Sequence, residues 1–288
     1  MARYMNGMAN GGSVKLWNKE VGDGLSDHDL LTHVPAIFAS EAHESRSDRF
    51  VPIPTINIVN GMRNEGFKPV FAQQGRSRIP GKSDFTKHLI RFRHDSLTNT
   101  EGETFEVILV NGNDGTSAYK LMAGVFRFLC MNGLFTGDLY GSVNVRHTGS
   151  ALDDVIEGSY SVLDQAPRVM ARVNEFKGLQ LDEWQQNLLA ITAHELRYPD
   201  SYGDKPKQAP IMSSSLLTPR RYGDQGKDLY SMFNVVQENV IKGGQYAPRI
   251  TEDGRFIRSR TRAVRAIDTS RKINSSLWSC AEDIFGAA

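Results

Sequence analysis

The stretch LVNGNDGTSAYKLMAGVFRFLCMNGLF, residues 109 to 135, carries Gly112 and Gly115 just ahead of an apolar run. Glycines in front of a helix can cradle a phosphate with backbone N–H groups. The phosphate loop of nucleotide hydrolases also needs a lysine and then Ser or Thr after its last glycine, whereas Thr116-Ser117 follow Gly115 with no such lysine. A dinucleotide fingerprint needs three glycines inside a parallel strand–helix–strand unit, and that context is missing as well. The glycines are therefore assigned to a strand-to-helix turn capped by Asn113 or Asp114, whose helix N-terminus could hold one phosphate of a polynucleotide.

Other chemistries find less support. The sequence has no Cys-x-x-Cys and no His-Glu-x-x-His. His194 and Glu195, neighbours on an expected helix, diverge by about 100° and suit the surface. His88 and His94 lie in a basic strand, where a core or solvent-facing role outweighs general-base duty. Asp153-Asp154 begin a helix and favour its dipole. Cys130 and Cys280 sit among apolar neighbours at helical spacing, as reduced, buried thiols do. No catalytic residue, metal or cofactor is expected.

The charges are more informative. The 288-residue chain has a formal net charge of +1, yet two blocks are strongly basic. Arg63 to His94 holds eight Lys or Arg against two acids, and Lys242 to Lys272 holds nine against three. In FTKHLIRFRH, strand alternation sets Lys87, Leu89, Arg91 and Arg93 on one face. Such a face could track a phosphate backbone while neighbouring aromatics meet bases. The candidate nucleic-acid contacts are Arg76, Arg78, Lys87, Arg91 and Arg93 from the first block and Arg258, Arg260, Arg262 and Arg265 from the second. Lys120 and Arg127 on the intervening helix join them.

Elements that would position these residues follow from periodicity. Residues 1–49 form an arm rich in Gly, Asn and Ser. PIPTINIVNGMRNEGF predicts a helix ending near Gly66. PVFAQQGRSRI, FTKHLIRFRH and TFEVILVN predict three antiparallel strands. Ala118, Leu121, Met122, Val125, Phe126 and Leu129 fall at helical spacing, which predicts a long helix from Asn113 to Met131. LYGSVNVRH is extended, and helices follow over 151–176, 180–197, about 227–241 and about 261–284, with a basic loop around Asp253-Gly254. The expected fold class is α+β: a three-stranded antiparallel meander packed by a long helix, with additional C-terminal helices. Its organisation would be an arm (1–49), a core domain (50–200) and a basic helical segment (201–288). No apolar run approaches the roughly 18 to 20 residues that span a bilayer, and the N-terminus lacks a signal-peptide pattern, so a cytoplasmic setting is expected.

The ordered series VNGMRNEGFKPVFAQQ, KHLIRFR, LVNGNDGTSAYKLMAGVFRFLCMNGLF, VRHTG and FNVVQENVIKGG resembles the plasmid- and phage-borne proteins grouped as domain of unknown function nine-three-two, over roughly residues 50 to 270. That resemblance implies a place in the DNA metabolism of a mobile element. The expected arrangement of helix, basic meander and long helix is also similar, in architecture only, to single-strand annealing proteins of the RecT, Red-beta and Rad fifty-two type. It implies an oligomeric ring or filament that binds single-stranded DNA and anneals it to duplex without ATP, with a host single-strand binding protein or exonuclease as a further partner. Two alternatives stand beside it: a protein inhibitor of a host defence complex, and a metal-dependent nuclease using Asp114, His88 or His147.

Overall fold

The computed structural model describes residues 13–15, 22–40, 54–75, 85–97, 102–112, 118–128, 132–135, 140–147, 150–202, 204, 207–250 and 253–288. It forms two compact units. The first comprises Met1–Arg127 and Thr136–Pro167; the second comprises Phe128–Phe135 and Arg168–Ala288.

The first unit is built on a six-stranded antiparallel sheet. Its strands are β1 (Ser13–Lys15), β2 (Phe67–Gln74), β3 (His88–His94), β4 (Glu103–Asn111), β5 (Tyr119–Arg127) and, after the short β6 (Asn132–Phe135) of the second unit, β7 (Ser142–Val145). They pair in the order β1-β2-β3-β4-β5-β7. All nine residues of β4 are buried, so the centre of the sheet is covered on both faces. Helices α1 (Asp27–His33), α2 (Thr55–Asn64) and α3 (Ala151–Leu163) complete the unit. A capping box between Ser26 and Asp29 starts α1. In α2, Ile58, Val59 and Met62 form a fully buried stripe, each worth roughly 1.5–3 kcal/mol of burial. Gly66, at φ +84, then reverses the chain into β2. Close packing of α3 on the sheet depends on Gly158, where a Cβ would fall 2.8 Å from Leu121 and 2.9 Å from Val143.

Two sequence expectations are corrected. Among the described residues the first unit contributes six strands to its sheet and not three, and β5 occupies 119–127 of the long helix expected over 113–131. That segment is apolar nearly throughout because β5 lies between β4 and β7 and buries both of its faces. A run of this kind fills the i, i+3, i+4 positions of a helix by default, so periodicity cannot separate the two. The helix start expected to hold a phosphate falls on residues 113–117, which lie outside the described residues; from Tyr119 onward the chain is β5.

The second unit is helical. The chain enters it through α4 (Ala166–Gly178), followed by α5 (Glu183–Arg197), α6 (Leu229–Lys242) and α7 (Ile267–Gly286). Asp182 and Gln185 form the capping box of α5. Trp278 of α7 stacks on Phe176 of α4 and Phe233 of α6 at centroid distances of 5.4 Å and 5.7 Å. Helix α6 is buried along most of its length, and its Gln237 donates to Asn274 of α7 at 2.8 Å, giving a buried amide its partner. Between α6 and α7, the segment expected as a basic loop is a two-stranded ribbon, β8 (Arg249–Ile250) and β9 (Phe256–Ile257).

Candidate nucleic-acid interface

The ribbon begins where α6 ends. Gly243 closes the helix at φ +62, a conformation that side chains disfavour. A Cβ there would also lie 2.6 Å from the carbonyl carbon of Arg262, so glycine lets the two ribbon arms meet. Past this point the arms are zipped by backbone bonds: Gly244 N donates to Thr261 O (2.8 Å), Thr261 N to Gln245 O (2.9 Å) and Ala247 N to Ser259 O (2.8 Å). Tyr246 opposes Arg260, and the pairing continues through β8 and β9 to a turn holding Gly254 at φ +76.

Alternation then sorts the side chains. Phe256, Arg258, Arg260 and Arg262 occupy every second position of the second arm and all are exposed, whereas Ile257, Ser259 and Thr261 are half-buried. On the first arm Tyr246 and Pro248 are exposed and Ala247 is buried. One ribbon face therefore presents arginines together with two large aromatics, Phe256 at 61% and Tyr246 at 53% exposure. Most proteins cover rings of this size, which makes the pair conspicuous beside the charges.

The base of the ribbon is braced by polar contacts. Arg220 donates to Asn239 Oδ1 at 2.7 Å and to the carbonyl of Gly243, and Arg197 donates to the carbonyl of Arg262 at 3.1 Å. Arg221 grips Glu238 with two bonds of 2.6 Å and 2.9 Å, Asp224 adds a third at 2.5 Å, and Lys242 reaches Glu238 at 2.8 Å. Burial alone would raise the Glu238 carboxyl, but hydrogen bonds from Arg221 and Lys242 outweigh it and hold that group below the usual carboxylate range.

The remaining expected contacts are distributed differently. Arg76 and Arg78 lie outside the described residues. Lys87 is half-buried just before β3, and Lys120 is half-buried on β5 opposite Asn144. Arg127 is buried across from Glu103, 4.0 Å away. Arg265 is exposed before α7. Arg91 and Arg93 do share a face of β3, but each is only 5% exposed. Both converge on Glu106 of β4: Arg93 Nε donates to Oε1 at 3.0 Å, and Arg91 Nε lies 2.9 Å from Oε2. Phe71 and Phe126 sandwich the Arg91 guanidinium at 4.6 Å and 5.0 Å. Burial pushes the Arg91 guanidinium below its usual range, against the pull of Glu106 and helped by Arg93. These two residues act as sheet-core ion pairs, out of reach of a phosphate backbone.

The histidines serve packing. His88 is fully buried, its Nε2 2.9 Å from Thr55 Oγ1, and Asn111 Nδ2 donates to the same hydroxyl at 2.9 Å. Burial lowers His88 to about 4, keeping it neutral. Tyr119, bonded to this group and stacked 4.4 Å from the His147 ring, is pushed up to about 12, again by burial. His194, expected at the surface, is buried, with Nδ1 2.7 Å from the Tyr202 hydroxyl and Nε2 2.8 Å from Ile211 O. It pins the loop after α5. Cys280 is a free, half-buried thiol beside Thr192, raised by burial; Cys130 and Asp114 lie outside the described residues. Among the described residues, no group of three or more His, Cys, Asp or Glu could hold a metal ion, and no helix is long and apolar enough to cross a membrane.

Tyr246 and Phe256 were missed by sequence reasoning. The signal was present in RITEDGRFIRSR, where Asp-Gly between two alternating runs marks a hairpin, and Phe256 shares the parity of the arginines.

The chain is thus a two-unit α+β protein with an arginine–aromatic ribbon. Residues 42–278 match the family described as Domain of unknown function (DUF932), and the chain belongs to that family. It is 40% identical over 258 residues to the UPF0380 protein YafZ of Escherichia coli (strain K12), an alignment spanning 90% of each chain. It is also 39% identical over 260 residues to the UPF0380 protein YfjQ of the same strain, covering 90% of this chain and 91% of the relative. No solved structure matches. The similarity to annealing proteins of the RecT type finds no support: it rested on a three-stranded meander followed by a long helix, and among the described residues the first unit has six sheet strands, with β5 in place of that helix.

Proposed function

We propose that this protein binds single-stranded DNA without catalysing a reaction, using the exposed face of the β8–β9 ribbon. The observation that carries the proposal is the coincidence, on one face, of Arg258, Arg260 and Arg262 with Tyr246 and Phe256, all exposed. Arginines supply sequence-independent attraction to phosphates, and aromatic rings supply stacking that accepts any base. Bracing through Arg220 and Arg197 favours this use because a held ribbon loses less freedom on binding. Arg91 and Arg93 take no part, so the interface is one-sided and not a groove closed from two blocks. Promotion of strand annealing by an oligomer is the activity such binding would serve.

The test is fluorescence anisotropy of a labelled oligo-dT at rising salt. Affinity should fall steeply between about 50 and 200 mM salt, and R258A and R260A should each reduce the log–log slope by about 0.7 for every phosphate left without its arginine. Absence of binding at low salt, or an unchanged slope in the double variant, would overturn the proposal. Addition of the complementary strand then measures the rate of pairing.

A further inference from the structure

We propose that a groove between helix α3 and the edge of β7 that pairs with no described strand takes up an extended peptide segment bearing basic side chains at alternate positions. The groove has a volume of about 580 Å³ and lies wholly within the first unit. One wall is the strand, with Val143, Asn144 and Val145; the other is α3, with Asp154 and Glu157; Gly158 lies between them.

Strand β7 pairs with β5 through Tyr119–Val145, Lys120–Asn144, Leu121–Val143 and Met122–Ser142. Among the described residues its other edge has no strand beside it. An edge of this kind offers a row of backbone donors and acceptors, and proteins ordinarily blunt it with lysine, proline or a bulge. β7 reads Ser-Val-Asn-Val and its register shows none of these. A free edge flanked by a helix is the geometry in which a peptide adds as a further strand, with main-chain bonds giving affinity and side-chain contacts giving selectivity.

Charge specifies the occupant. Among the described residues, Glu157 is exposed and makes no hydrogen bond or ion pair, and Asp154 uses only Oδ2, to accept from the Ser150 hydroxyl at 2.9 Å. Residues three apart on a helix have Cβ atoms about 5–6 Å apart, close to the roughly 6.6 Å between alternate residues of a strand. Two basic side chains at i and i+2 of an incoming segment therefore match the acidic wall. Arg146, exposed just past the end of β7, gives the groove a positive end for an acidic residue or chain terminus.

The probe is a fluorescein-labelled peptide of about nine residues, alternating valine and lysine and ending in glutamate, titrated into the full chain. Two further versions carry N-methyl groups on all odd or all even residues, and a fourth replaces lysine with glutamate. The parent should bind, one of the two N-methylated versions should lose at least about tenfold in affinity, and the acidic version should not bind. E157K should weaken the parent by about tenfold or more while leaving oligo-dT binding unchanged, which separates this site from the ribbon. Equal binding of both N-methylated peptides, equal binding of the acidic peptide, or no binding of the parent at millimolar concentration would each overturn the proposal. So would a dimer in sedimentation that E157K converts to monomer, since a second copy would then be the occupant.

Discussion

Strand β3 and the second arm of the ribbon carry the same local pattern, arginines two residues apart in extended chain with a phenylalanine nearby: Arg91-Phe92-Arg93 in one, Phe256 followed by Arg258 and Arg260 in the other. Their surroundings make them opposites. β3 lies inside the sheet with β2 and β4 on either side, and Glu106 stands directly across from Arg93, so the guanidiniums are buried and paired. The ribbon pairs β8 with β9 only; among the described residues no carboxylate opposes Arg258 or Arg260, and both stay exposed, Arg260 donating to the Gly244 carbonyl at 2.8 Å. A cationic strand face is thus an interface only when no neighbouring strand supplies both cover and counter-charge. Burying a charge costs several kcal/mol unless it is paired, and Glu106 is what makes the β3 arrangement tolerable.

The largest effect should come from removing that carboxylate. E106Q leaves two buried guanidiniums facing a neutral amide, and loss of one partner of a buried pair costs about 3–5 kcal/mol. Urea denaturation should show the midpoint falling sharply or the protein unfolded. A variant as stable as the parent would mean that Arg91 and Arg93 reach solvent, and the contrast with the ribbon would collapse.

The sequence made much of this visible. The turn of α2 with its Gly66 stop, the three strands β2 to β4 and the helices α5 to α7 follow from spacing and punctuation, whereas the single helix expected over 151–176 is two, α3 and α4, parted by a turn at Asp164-Gln165. β5 did not follow from either: like β4 it is covered on both faces and has no polar phase to report its period, but β4 carries Thr104, Val107, Ile108 and Val110 to mark it as a strand, whereas β5 has Val125 alone among β-branched residues. For the site, parity grouped Arg91 with Arg93 on one face of β3, whereas Arg258 and Arg260 were expected in a basic loop and their shared face emerges only with the pairing of β8 and β9. What parity cannot supply is the register between strands that are distant in sequence. That register brings Glu106 within 3.0 Å of Arg93 and sets His88 opposite Asn111, and helix α2 adds Thr55 to their hydrogen-bonded group.

That buried group gives the next prediction, smaller and confined to a pH range. His88 has a folded value of about 4 against about 6.5 when unfolded. Its neutral form is the one that folds, so its contribution is complete above pH 6.5, declines as the unfolded chain takes up a proton, and levels off below pH 4. The lowered value corresponds to roughly 3 kcal/mol across that range. Carboxylates add their own loss below about pH 5, so the useful quantity is the difference between parent and H88Q. Between pH 6.5 and 5 the parent should lose stability faster than H88Q; parallel curves would show that His88 is hydrated in the folded chain, unlike the rest of the sheet core.

The smallest effect on folding should accompany the clearest effect on binding, at Phe256. Its ring is 61% exposed, so F256A should change stability by no more than about 0.5 kcal/mol, as surface substitutions do. If the ring stacks on a base, the same substitution should weaken oligo-dT binding by about 1–3 kcal/mol. It should do so without changing the salt slope, because the same phosphates stay neutralised. R258A should give the complementary result, a lower slope with stability unchanged. Phe92 provides the internal control: it neighbours two arginines as well, but it is fully buried in β3, and F92A should cost about 3–5 kcal/mol of stability while any folded fraction binds oligo-dT normally. If F256A instead unfolds the protein while binding survives in what remains folded, Phe256 belongs with Phe92 as a packing residue, and the ribbon would have to bind through charge alone.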